Sequence, residues 1–219
     1  MIGQTISHYR ITEKLGEGGM GVVYKAEDTK LERTVALKFL AAHLLNDDEA
    51  KQRFLREAKA AASLQHANIC PVYEIDDADG KTFISMAFIE GETLEERIAK
   101  GPLPIKDALD IGQQIAKGLH AAHEKGIVHR DIKPANVLVA QDGQVTIMDF
   151  GLARLTEASR LTKADTTMGT VAYMSPERAH GTEVDHRSHI WALGCVLSQP
   201  PRMLLIENWY EEFRGRAQN

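Results

Sequence analysis

The feature that most constrains this chain is a polar string in its middle, set beside a short apolar hairpin. Residues 129–138 read His-Arg-Asp-Ile-Lys-Pro-Ala-Asn-Val-Leu, and Asp149-Phe150-Gly151 follows. Apolar segments at 137–139 and 145–148 flank the turn Asp142-Gly143, so they predict a hairpin with polar groups at both ends. His-Arg-Asp alone is most often an ordinary charged turn. The whole string at this distance from Asp149-Phe150-Gly151 is far more specific.

This pattern resembles the eukaryotic-type protein kinases, most closely their bacterial serine/threonine branch, from about Tyr9 to about Leu197. The resemblance implies transfer of the ATP γ-phosphoryl group to protein hydroxyls, a reaction that depends on positioning and charge neutralisation. The roles it implies are Asp131 beside the acceptor hydroxyl, Lys133 on the moving phosphoryl group, and Asn136 and Asp149 on Mg²⁺.

A glycine-rich segment and the strand after it carry the expected nucleotide site. Glycines lack Cβ, so backbone N–H groups can approach phosphates closely. Gly-x-Gly-x-x-Gly alone also fits a plain hairpin turn, and a dinucleotide-binding fingerprint would need a helix directly after it, whereas a β-rich segment follows here. By the resemblance, Lys38 grips the phosphates and Glu57 orients it. The expected nucleotide contacts are Leu15, Gly16, Glu17, Gly18, Gly19, Met20, Gly21, Val22, Val23, Ala36, Lys38, Met86 and Phe88.

The hydrophobic pattern divides the chain into a β-rich first part and a mostly helical second part. Strands are predicted over 9–15, 22–27, 34–39, 72–76 and 82–88, with one main helix over 47–64. Thr93 and Glu96 form a predicted capping box, and a longer helix is predicted from Pro104 to Lys125. Its expected buried face is Ile105, Ala108, Leu109, Gly112, Ile115, Ala116, Leu119 and Ala122.

We therefore expect an α+β, two-lobed protein-kinase-like fold with the active site in the crevice between the lobes. The N-lobe, 9–89, would hold a five-stranded antiparallel sheet and one main helix. The C-lobe, 90–198, would be mostly helical and incomplete, and 199–219 would form a tail unlike the family.

Composition narrows the possible partners. The net charge of −5 and the lack of a basic face argue weakly against nucleic acid. The apolar run Ile190–Leu197 is far shorter than the roughly 20 residues that span a bilayer, and no leader begins the chain. Cys70 and Cys195 show no pairing pattern, which fits a reducing compartment. We expect a cytoplasmic protein that acts on protein substrates with Ser or Thr acceptors and, by the resemblance, self-associates for trans-autophosphorylation.

The resemblance also implies control by phosphorylation of the segment from Asp149 to Glu177, because Arg130 precedes Asp131. Thr166 and Thr167 are the candidate sites. His120 and His123 share one predicted helical face, but no third metal ligand follows at a familiar spacing.

Three features depart from the family pattern. Ser175 begins the usual Ala-Pro-Glu motif, and the resemblance ends near Leu197, with the arginine partner of Glu177 missing. His189 stands where the family has an aspartate that anchors the catalytic loop. A neutral imidazole accepts at one nitrogen only, so we expect a loss of roughly 1.5–3 kcal/mol and a looser Asp131. The alternatives are a nucleotide-binding, pseudokinase-like module without turnover and a fragment that does not fold alone. Small-molecule kinases of the aminoglycoside type rank lower.

Overall fold

A computed structural model describes residues 1–18, 21–41, 48–150, 172–179 and 184–198. Gly19 and Met20 of the predicted nucleotide site lie outside these ranges. So do the candidate phosphorylation sites Thr166 and Thr167 and the predicted tail at 199–219.

Within the described residues, the first part of the chain is a six-stranded antiparallel sheet in the order β1-β2-β3-β4-β6-β5. Its strands are β1 (Thr5–Ile6), β2 (Tyr9–Gly18), β3 (Gly21–Asp28), β4 (Arg33–Leu40), β5 (Val72–Ala78) and β6 (Lys81–Ala87). The five predicted strands are present. The additional edge strand β1 has two residues, too few for an alternating pattern to show in the sequence.

Strand β4, like β6, is buried over most of its length. Every residue from Val35 to Leu40 is buried, whereas β3 alternates between buried and half-buried positions. β4 lies between β3 and β6, and apolar clusters cover both of its faces. One cluster joins Leu37 to the aromatic rings of β2 and β6, and the other joins Ala36 to helix α1 (Asp48–Ala62). A continuous apolar run is therefore favoured in β4.

The second part combines a small three-stranded sheet with helices. Its elements are β7 (Gly91–Thr93), α2 (Leu94–Ala99), α3 (Ile105–His123), a 3₁₀ turn (Pro134–Asn136), β8 (Val137–Ala140), β9 (Val145–Ile147), α4 (Pro176–Ala179) and α5 (Arg187–Ser198). The predicted capping box is confirmed at the start of α2. Glu96 N–H donates to Thr93 Oγ1 at 3.1 Å, and the Glu96 carboxylate accepts from Thr93 N–H at 2.8 Å.

The buried face of α3 differs from the predicted one. Its buried residues are Ala108, Ile111, Gly112, Ile115, Gly118, Leu119 and Ala122. The prediction was wrong for Ile105 and Leu109, which are 62% and 51% exposed, and for Ala116, which is also exposed. It omitted Ile111 and Gly118. A Cβ at Gly118 would lie 2.9 Å from Ile147 Cδ1 and 3.1 Å from Asn68 O, so α3 meets β9 at this glycine. That contact turns the helix away from the face that periodicity suggested.

The segment after α1 fastens the first part of the chain to the small sheet. Cys70 N–H donates to Ile147 O and Ile147 N–H donates to Asn68 O, both at 2.9 Å. Asn68 Nδ2 donates to Val145 O at 2.8 Å. These bonds hold β9 against residues 68–70, which lead into β5, and Asp149 lies two residues after the end of β9. The predicted α+β, two-lobed kinase-like fold is confirmed.

None of the helices in the described ranges combines the length and apolar character that crossing a bilayer requires.

Candidate active site

The Asp131 carboxylate is held by three neighbouring side chains. Lys133 Nζ lies 2.9 Å from Asp131 Oδ2, and Asn136 Nδ2 donates to the same oxygen at 3.1 Å and to the Asp131 carbonyl at 2.7 Å. Arg178 Nη1, from α4, lies 3.7 Å from Oδ1 and donates to the carbonyl of Arg130. The carboxylate thus has a fixed orientation near the start of the catalytic loop, which we define as residues 129–136.

These neighbours decide the charge of Asp131. Its side chain is 7% exposed, and burial alone would raise its pKa. The ammonium of Lys133, followed by His129 and the guanidinium of Arg178, more than offsets burial and lowers the pKa below its usual value. Asp131 is therefore ionised at neutral pH and acts as an acceptor for hydrogen bonds.

Lys38 and Asp149 form a second polar pair in the same region. Lys38 Nζ lies 2.7 Å from Asp149 Oδ2, and the lysine side chain is 6% exposed. A buried ammonium is costly without a counter-charge, so this pairing stabilises both groups. Glu57 lies half-buried on α1, and its predicted role in orienting Lys38 stays a prediction.

His129 links these two groups of residues. Its ring is fully buried; Nε2–H donates to Met148 O at 2.7 Å, and Nδ1 accepts from Asp131 N–H at 3.2 Å. Its edge also packs on Phe150, with ring centroids 4.6 Å apart. Burial lowers the pKa of His129, so the neutral ring required by this donor–acceptor pattern is favoured. Through it, the backbone of Asp131 is tied to the residues on both sides of Asp149.

His189 holds the other side of the catalytic loop. Its Nε2 accepts the N–H of His129 at 2.9 Å and of Arg130 at 3.2 Å. One ring nitrogen thus serves both donors, and the expected loss of stability with a looser Asp131 stays a prediction. Arg130 has a φ of 66°, a left-handed conformation that costs energy outside glycine, and the accepted N–H bonds stabilise it. The Glu177 carboxylate accepts a hydrogen bond from Ser188 Oγ at 2.6 Å.

The strands bring only part of the predicted nucleotide site onto one face. Val23 is the Cα partner of Lys38, and its side chain packs against the cluster that contains Ala36 and Met86. Val22 instead packs on the opposite face. Leu15 is 43% exposed, Glu17 pairs with Lys14, and the ring of Phe88 lies under Lys25 Nζ at 4.4 Å. Met86, Asp149 and Phe150 line one small cavity.

The structure describes three glycines of the predicted glycine-rich loop, Gly16, Gly18 and Gly21, and they differ in the space available for a Cβ. Among the described residues, no atom would lie within 4 Å of a Cβ at Gly16 or Gly18. Gly21 has a φ of 141°, and a Cβ there would lie 1.8 Å from Phe39 O. Packing within the chain thus requires glycine at Gly21 but leaves open space at the other two.

Comparison with known proteins identifies the family of this chain. The family model of the protein kinase domain matches residues 9–210. The chain belongs to the protein kinase domain family. Among named relatives, this kinase domain is 44% identical over 199 residues to the serine/threonine-protein kinase PrkC of Bacillus subtilis. It is 40% identical over 199 residues to the serine/threonine-protein kinase PknH of Mycobacterium tuberculosis. Both alignments cover 90% of the chain.

The chain spans about a third of the length of these curated relatives, 31% of PrkC and 32% of PknH. It is also similar to the crystal structure of the M. tuberculosis PknI kinase domain, with 30% identity and a TM-score of 0.72. That match covers 92% of this chain and 77% of the solved one.

Sequence reasoning about this kinase domain missed two contributors to the site. The first is Arg178, which contacts the catalytic loop. The sequence pattern singles out its neighbour Glu177 but gives no role to Arg178. His123 Nε2 lies 2.5 Å from His189 Nδ1, although the two residues are 66 positions apart. The sequence pattern singled out His123 only as a possible metal ligand together with His120, and not as a partner of His189.

Proposed function

We propose that this kinase domain transfers the γ-phosphoryl group of ATP to Ser and Thr hydroxyls of proteins. The observation that carries the proposal is the pairing of Lys38 with Asp149 beside a buried, ionised Asp131. His129 ties the two together by hydrogen bonds to Met148 O and from Asp131 N–H. Two carboxylates, each paired with an ammonium group and linked through His129, suit a reaction in which charge moves between phosphate oxygens.

The chemistry of the donor set fits Mg²⁺. Asn136 uses Nδ2 for both of its bonds to Asp131, which leaves Oδ1 as the atom able to ligate a cation, and Asp149 offers a carboxylate. In the part of the chain that the structure describes, no group of three or more His, Cys, Asp or Glu residues suits a metal ion. Mg²⁺ commonly takes one or two protein oxygens and completes its octahedron with phosphate and water, so these two ligands suffice. When bound, Mg²⁺ neutralises charge on the phosphates.

The remaining side chains have distinct tasks in this proposal. Asp131 accepts a hydrogen bond from the acceptor hydroxyl and orients its oxygen for in-line attack. Lys133 stays beside Asp131 and neutralises charge on the transferred group, and Lys38 holds the phosphates on the opposite side. The open space over Gly16 and Gly18 supports a backbone approach to the nucleotide, because no atom of the described residues would contact a Cβ at either glycine.

The direct test is transfer from γ-³²P-labelled ATP to a peptide with Ser and Thr, compared with a matched peptide that carries only Tyr. We expect labelling of the first peptide and little of the second. Lys38→Met should reduce transfer by about 10²–10³-fold, because it removes a buried charge that faces the phosphates. Lys51→Met is the matched control, since Lys51 pairs with Asp77 on the surface and should leave transfer unchanged.

The result also decides between the proposal and its alternative. A wild-type chain that binds Mg²⁺–ATP in a thermal-shift experiment but labels neither peptide would be a nucleotide-binding module without turnover. Equal transfer by wild type and Lys38→Met would remove Lys38 from the site. A cytoplasmic location, self-association and the identity of the acceptor proteins stay predictions.

A further inference from the structure

We propose that His189 and His123 form a neutral imidazole pair that positions the catalytic loop in place of a carboxylate. The inference rests on the proposed kinase function and adds two positioning residues to it. His189 is 2% exposed, lies on α5, and contacts the loop and α3 at the same time.

The geometry assigns the protons of the pair. His189 Nε2 faces two backbone N–H donors, so it carries no proton itself. Its single proton as a neutral ring then lies on Nδ1, 2.5 Å from His123 Nε2. Two nitrogens this close need one hydrogen between them, because two protons or two lone pairs would repel. His189 Nδ1–H therefore donates, and His123 Nε2 accepts.

The ring orientation agrees with this assignment. The planes of His123 and His189 are 15° apart and their centroids are separated by 4.8 Å. The facing nitrogens are much closer than the centroids, which an edge-to-edge contact produces and a face-to-face stack does not. The proton consequently lies close to both ring planes. His123 thus fixes the tautomer of His189, and the tautomer of His189 fixes the loop.

The surroundings keep the pair uncharged. The groups facing it are His129 and Arg130 of the catalytic loop, His186 before α5, and His120 on α3. Burial, and then electrostatic repulsion from the nearby side chains, lower the pKa of His189 to about 3; those side chains are His129, His123, His186 and Arg130. Burial, His186 and His120 lower the pKa of His123 as well. A protonated His189 would point an N–H at two other N–H groups, so only the neutral ring can hold the loop.

The first test needs no variant. In the ¹⁵N-labelled full chain near pH 7, the imidazole nitrogen shifts of His189 should show a protonated Nδ1 and an unprotonated Nε2. The reverse tautomer or a doubly protonated ring would overturn the proposal. This readout does not depend on catalysis, so an inactive wild type with the expected tautomer would contradict the kinase function while the anchor stands.

The second test separates positioning from simple stability. His189→Leu removes the acceptor at similar volume, and we expect kcat to fall about tenfold or more with little change in the KM for ATP. Hydrogen exchange at the amides of His129 and Arg130 should accelerate. His189→Gln supplies a neutral amide oxygen and should recover most of kcat, whereas His186→Leu, a neighbour outside the hydrogen-bonded chain, should resemble wild type. If kcat and amide exchange were the same in His189→Leu and in wild type, His189 would not position the catalytic loop.

The pair also predicts a pH dependence of stability. The unfolded chain binds a proton at His189 near pH 6.5, whereas the folded chain does so only near 3, so the unfolded state holds more protons between these values. The free energy of unfolding should therefore fall as pH drops through this window. Urea unfolding at several pH values should show a shallower fall for His189→Gln. Identical slopes would contradict the requirement for a neutral ring.

Discussion

Replacing Asp131 with Asn is expected to reduce phosphoryl transfer by about 10²–10⁴-fold while the chain stays folded. The amide oxygen can still accept from Lys133 or Asn136, so the catalytic loop keeps most of its bonds. The negative charge is lost, however, and with it the strong acceptor for the proton of the substrate hydroxyl. Because the pKa of Asp131 is below its usual value, the wild type has this charge throughout the neutral range.

The control for this change is Asp110→Asn, which alters a carboxylate on the exposed side of α3. Transfer of γ-³²P to the Ser/Thr peptide should match wild type in the control and be nearly abolished in Asp131→Asn. Circular dichroism and the Mg²⁺–ATP thermal shift should stay close to wild type in both. Undiminished labelling by Asp131→Asn would remove Asp131 from the reaction and leave the proposed mechanism without an acceptor.

Local sequence signals predicted the elements that depend on neighbouring residues. The capping box needs only Thr93 and Glu96, three positions apart, and the structure contains both of its bonds. The β8–β9 hairpin needs only a turn between two apolar runs. The importance of Lys38 could be predicted locally as well. Residues 35–40 of β4 are apolar except for this one lysine, and a buried lysine requires a partner of opposite charge.

Features set by contacts between distant segments could not be predicted in this way. The buried face of α3 depends on the close approach of Gly118 to Ile147, so Ile111 is buried and Leu109 is not. Periodicity identifies a helix with an apolar stripe but does not select among nearby stripes. The role of His189 likewise depends on a contact between distant segments of the chain. Its sequence position indicated a lost aspartate, whereas the partner that orders its ring lies on α3.

The largest effect on stability is expected at Gly21, where replacement by Ala should strongly destabilise the first part of the fold. Its φ of 141° is a conformation that side chains rarely adopt, and such strain alone costs about 1–3 kcal/mol. The added Cβ would also lie 1.8 Å from Phe39 O, an atom of the buried strand β4. Relief requires β3 and β4 to move apart at the Gly21–Leu40 end of their pairing. We therefore expect a decrease of more than about 3 kcal/mol in the free energy of unfolding.

Gly18→Ala is the matched control, because Gly18 is the Cα partner of Gly21 and its Cβ would enter open space. Urea unfolding should show a near wild-type midpoint for Gly18→Ala and a much lower one for Gly21→Ala. For nucleotide binding by the folded molecules we expect the opposite order, with weaker binding by Gly18→Ala than by Gly21→Ala. A methyl group at Gly18 would obstruct the backbone approach of phosphates, so the KM for ATP should rise without loss of stability. Equal stability of the two variants would show that β3 can yield at Gly21. An unchanged KM in Gly18→Ala would mean that phosphates do not approach the loop there.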